Sequence, residues 1–136
     1  MRRTLTHALF LSSLISAVAC SDPLTPESIA GTYTATTFTL SGQVSGDVLA
    51  AGGNLTITLN ANGTTSGSML VPASLNDGVD FNANMAGTFS LVDESLTFSQ
   101  DADTFVRDLA WTVSGSKIEG AGTFSDVTIT VVLSRQ

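Results

Sequence analysis

Asn54-Leu55-Thr56-Ile57-Thr58-Leu59 alternates strictly between polar and apolar residues. Val127 to Ser134 follows the same period except at Val132: Val127, Ile129, Val131 and Leu133 fall on one side, Thr128 and Thr130 on the other. Successive strand side chains point to opposite faces, so such a stretch has one face to bury and one to wet. Thr, Val, Phe and Ile are frequent from Gly31 onward, and helix-period stripes are absent. The spacing predicts eight strands, over residues 31–40, 54–59, 64–71, 85–92, 95–99, 104–114, 117–124 and 127–134. Inward faces carry Met69 and Val71, then Met85, Phe89 and Leu91, then Leu96 and Phe98. Phe105, Leu109, Trp111 and Val113 fall in phase on the sixth strand.

Turn chemistry separates these runs. Asn60-Ala61-Asn62-Gly63 is a hairpin signal because Asn-Gly accepts positive φ. Asp93-Glu94 and Gly115-Ser116 are short enough for tight turns. Gly87, Gly120 and Gly122 either leave interior room or bend the strands for closure. Short, evenly spaced strands with one apolar face fit a sandwich or a closed barrel. Closure removes sheet edges that would otherwise need protection. The expected fold is therefore all-β, a small eight-stranded up-and-down antiparallel barrel.

Loop lengths sharpen that expectation. Connections 41–53, 72–84 and 100–103 are longer, and those after the second, fourth and sixth strands are tight. In an up-and-down barrel these two sets lie at opposite ends. One end is then closed by hairpins, and the other is a mouth decorated by loops. The chain enters the first strand at the closed end.

The chain has 136 residues, which fits one domain after an N-terminal leader. Met1-Arg2-Arg3 forms a basic start, followed by an apolar run from Leu5 to Val18 that includes His7. Ala17-Val18-Ala19 places small residues before Cys20, the only cysteine. The run is short for a membrane span. Residues 1–19 are read as a signal peptide, 20–30 as a tether and 31–136 as the barrel domain. The tether carries Pro23 and Pro26, and ten extended residues reach roughly 35 Å.

Ala17-Val18-Ala19-Cys20 resembles the lipobox of bacterial lipoproteins, with Ala17 where Leu is commonest. That resemblance implies cleavage before Cys20, a diacylglycerol on its thiol and an acylated (palmitate-type) amino terminus. The implied partner is a membrane of the bacterial cell envelope, reached through the Cys20 lipid anchor. Ser21 after the cysteine implies the outer membrane, facing the periplasm; Asp22 leaves the inner membrane open.

Gly31-Thr32-Tyr33 is similar to the Gly-x-Trp start of lipocalins, with Tyr33 in place of Trp. The hairpins 54–67 and 86–99 also resemble bacterial members of that family. The likeness spans residues 31–135, without room for the helix that follows the barrel in full-length lipocalins. It implies a lipocalin-like barrel that carries a small apolar molecule. Tyr33, Phe89, Phe98, Phe105 and Trp111 are the candidate ligand-binding side chains, although the same rings can instead fill the core.

Charge and chemistry narrow the rest. Beyond the leader, Arg107, Lys117 and Arg135 face 12 acidic residues, so no nucleic-acid partner is expected. The same segment has no histidine, and its one thiol is the expected lipid site. This removes Ser-His-Asp, Cys-His and histidine-metal arrangements. The carboxylate pairs Asp93/Glu94 and Asp101/Asp103 fall in turns, where Asp serves the backbone. No enzyme activity, cofactor or metal is expected. Asp47, Asp77, Asp80, Asn82, Asp101 and Asp103 gather at the loop end, as a calcium site or a solvated acidic rim. The leading expectation is an envelope lipoprotein that binds a small hydrophobic or amphipathic molecule. The alternative is a filled barrel acting as a structural module with an envelope protein partner.

Overall fold

In the computed structural model, which describes residues 21–136, almost every segment between turns is a strand. Cys20 and the leader lie outside the described residues. The strands are β1 (Gly31–Gly42), β2 (Gly46–Asp47), β3 (Asn54–Leu59), β4 (Thr64–Val71), β5 (Phe81–Asn84), β6 (Gly87–Val92), β7 (Ser95–Gln100), β8 (Ala110–Ser114), β9 (Lys117–Phe124) and β10 (Val127–Arg135). Every pairing is antiparallel, and β10 returns to pair with β1 from Tyr33↔Arg135 to Gly42↔Val127. The wall is closed and has eight positions, with β5 and β6 sharing one, in up-and-down order.

β2 is a spur beside the upper end of β1, and its Asp47 carboxylate accepts from the Leu49 and Ala50 amides. It brings Val48 into the core. β5 and β6 both pair with β4, at Ser68–Val71 and Thr64–Thr65 respectively. They break at Met85-Ala86, where Asn84 Oδ1 takes the Ala86 amide at 2.8 Å. The Met85 carbonyl meets the buried Thr65 hydroxyl at 2.7 Å and the Gln100 amide at 3.3 Å. The expected fourth strand, 85–92, therefore begins later at Gly87, and a separate piece lies inside the preceding loop.

The expected sixth strand, 104–114, is corrected more substantially. Phe105–Arg107 is a single 3-10 turn, and β8 begins only at Ala110. Thr104 caps the turn by accepting the Val106 amide at 3.3 Å. Arg107 pairs with Asp103 one turn back. A capped turn satisfies these backbone groups locally, so the apolar phase of 105–113 does not extend the ladder. The mouth connection runs over residues 101–109.

Turns follow residue chemistry. Gly63 takes φ +87 in the β3–β4 hairpin, and Asn62 Oδ1 accepts the Thr64 amide at 3.1 Å. Ser125 and Asp126 both take positive φ between β9 and β10, the primed hairpin geometry. Gly120 and Gly122 provide space: a Cβ on Gly120 would lie 2.5 Å from the Trp111 ring, and one on Gly122 2.8 Å from Leu109. At Gly87 the backbone of β7 approaches too closely for a side chain.

The closed end contains a stopper that shortens the expected tether. Pro26–Ile29 is a helical turn with a Thr25/Ser28 capping box, and Ile29 is 1% exposed beneath the barrel. Leu24 also packs on the core. The Tyr33 hydroxyl donates to the Ile29 carbonyl at 2.8 Å. The Arg135 guanidinium lies 5.3 Å from the Tyr33 ring centre and donates to the Tyr33 hydroxyl and the Ser28 carbonyl, at 2.7 and 2.9 Å from Nη2. The last strand thus bolts the stopper in place. Arg135→Ala is expected to cost about 1 kcal/mol, a partly solvated cation–π contact plus its hydrogen bonds. Thermal denaturation should show a lower Tm, while Arg135→Lys should recover only part of it because Lys lacks the planar fork.

Candidate functional site: the mouth of the barrel

The two ends of the barrel are packed differently. Toward the closed end, alternation on the strands directs Tyr33, Leu55, Ile57, Leu59, Leu96, Phe98, Trp111, Val113, Ile118 and Leu133 inward, all buried. Trp111 meets Phe98 edge-on, with ring centres 5.6 Å apart, and its indole N–H donates to the Val106 carbonyl at 2.9 Å. This half is a filled core.

Toward the loop end the same alternation lines an opening of about 310 Å³. Its walls are the upper ends of three strands: Phe38 and Leu40 of β1, Val71 of β4, and Val127 and Ile129 of β10. β5 adds Phe81, and the connections add Val44, Leu75 and Phe105. Phe38 and Phe105, tilted at 55° with centres 5.6 Å apart, form an aromatic pair against this space. Asn76, Asp103 and Thr104 are the polar members of the lining. Such a volume is at the small end of ligand pockets, and an apolar lining with few polar groups is their usual character.

Two other depressions are less enclosed by apolar surface. One, of about 470 Å³, lies along β8–β10 and includes outward residues such as Thr112, Glu119 and Thr130. The other lies between residues 21–24 and Asp93-Glu94 at the closed end.

Of the five candidate ligand-binding side chains, only Phe105 lines the mouth. Tyr33 belongs to the closed-end bolt, and Phe98 and Trp111 to the filled half. Phe89 is 8% exposed and pairs with Phe98 across β6 and β7. Aromatic character and inward phase do not separate these residues; depth along the barrel does. Phe38, Leu40, Val71, Val127 and Ile129 are not among the candidate ligand residues, yet each sits in the half of its strand toward the mouth. Leu75 and Phe81 carried another signal, as large apolar residues inside a polar connection.

The acidic residues at this end have identifiable local roles. Asp47 caps the 48–50 turn, Asp80 Oδ1 accepts the Ala73 amide at 2.8 Å, and Asp103 holds Arg107. Among the described residues, no three His, Cys, Asp or Glu side chains converge as a metal site. Gln100 is buried on the inner face of β7, and its Oε1 has no hydrogen-bond partner among the described residues. A buried acceptor of this kind is ordinarily satisfied by internal water.

Together these features define a closed β-barrel with one packed end and one open, apolar mouth. Comparison with protein-family models, curated proteins and solved structures gives no match.

Proposed function

We propose that this protein is a lipoprotein of the bacterial cell envelope whose barrel mouth binds a small hydrophobic or amphipathic molecule. The observation that carries the binding reading is the apolar opening of about 310 Å³ between β1, β4 and β10. An unfilled apolar space at one end of an otherwise packed barrel is the place where transferring an apolar group from water is favourable. The anchoring reading rests on Ala17-Val18-Ala19-Cys20. Residues 21–24 run beside the Asp93-Glu94 turn at the closed end. An acyl anchor on Cys20 would turn that end to the bilayer and the mouth away from it.

The anchor is tested by Cys20→Ser in the full-length chain. The wild type should enter the detergent phase and the variant the aqueous phase, because acyl chains supply the apolar burial that holds the protein to the bilayer. Equal partitioning of the two would refute the lipoprotein reading. Binding is tested with chain 21–136, which holds the whole closed barrel and its core. Titrating decanol into it should give saturable heat, and its absence would favour a module that works through its surface.

A further inference from the structure

Resting on the reading of the mouth as a ligand site, we propose that its cargo is a cationic amphiphile, an ammonium group on a short apolar body. Seven aspartates lie at the loop end: Asp47, Asp77, Asp80, Asp101, Asp103, Asp108 and Asp126. Five of these either line the opening or lie within two residues of a lining side chain. Asp103 lines it itself, Asp77 follows Asn76, Asp80 precedes Phe81, Asp126 precedes Val127, and Asp101 is two before Asp103. The basic residue of this end, Arg107, is paired with Asp103, so those two charges offset each other and the other six aspartates carry the negative charge of the rim. Lys117 and Arg135 are at the other end of the barrel, where Arg135 is held by Tyr33 and Ser28.

An amphiphile entering apolar end first leaves its head group at this rim. A carboxylate or phosphate head would sit among like charges, with Arg107 already committed. An ammonium head would meet them favourably, and the Phe81 and Phe105 rings give a cation a second attractive surface. The interaction is between solvent-exposed charges, so salt must weaken it.

Calorimetric titration of chain 21–136 with decylammonium, decanol and decanoate separates the claims, because the three share one apolar chain. In 10 mM salt, decylammonium should bind on the order of ten-fold tighter than decanoate, and 150 mM salt should shrink that ratio. The triple variant Asp77→Asn, Asp101→Asn, Asp126→Asn should move the ratio toward one. Asn tolerates the positive φ of positions 77 and 126, and these three carboxylates accept no hydrogen bond among the described residues. Decanoate binding as tightly as decylammonium would overturn the charge selection while leaving the pocket standing. Failure of all three to bind would remove the pocket reading and this proposal with it. Decylammonium binding that survives Val71→Trp/Val127→Trp, which obstructs the mouth, would show attachment to the acidic surface and also overturn the proposal.

Discussion

Trp111→Ala is expected to destabilise the barrel by about 3–5 kcal/mol, a large part of the total stability of a domain this size. The indole is 2% exposed and lies over Gly120, in space that only a residue without a side chain leaves free. It also bridges a short seam in the wall. β7 and β8 pair only at Ser95↔Thr112 and Leu96↔Trp111. Above that pairing the wall depends on the 3-10 turn, which the indole N–H holds through the Val106 carbonyl. Truncation therefore empties the packed half and releases the turn that carries Phe105. Urea unfolding of chain 21–136 should show the midpoint falling with little change in slope. Trp111→Phe should lose less, since it keeps most of the ring volume and gives up the hydrogen bond. A Trp111→Ala loss below about 1 kcal/mol would mean that the closed half is not the filled core described.

Val71→Trp with Val127→Trp should abolish binding of an apolar ligand, weakening decanol by at least about ten-fold, with the fold preserved. The two residues belong to β4 and β10, on separate parts of the mouth wall, and both project into the opening. Larger rings there grow into unfilled space. The steric penalty that follows overpacking a dense core, about 1–3 kcal/mol, is then largely avoided. The control is Tm, which should change little. Undiminished decanol binding by a folded double variant would place the ligand elsewhere on the molecule.

The strand pattern was legible because a half-buried wall writes its inside and outside into every second residue. Residues 54–59, 64–71 and 117–124 form strands over the expected spans, and closure followed from even spacing and the need to remove exposed edges. The 3-10 turn at Phe105–Arg107 was hidden because its apolar residues keep the strand phase. What interrupts the strand is the Thr104 cap and the Asp103–Arg107 pair. The stopper was read as part of the tether, because the burial of Ile29 depends on Tyr33 and on Arg135, which is distant in sequence. The site was the least legible part. Periodicity tells which face a side chain takes, and it says nothing of how far along the barrel axis the interior is filled. Trp111 and Phe105 share a phase in the sequence, yet Trp111 lies on β8 in the packed half and Phe105 in the 3-10 turn at the rim.

The most direct test is a methyl-resolved NMR titration of chain 21–136 with decanol. Saturable shifts are expected at the methyl groups of Val71, Leu75, Val127 and Ile129, with Leu55 and Leu133 in the packed half hardly moving. Shifts confined to Ala110, Ala121 and Val132 on the outer wall, or no saturable shift at any methyl, would contradict binding in the mouth.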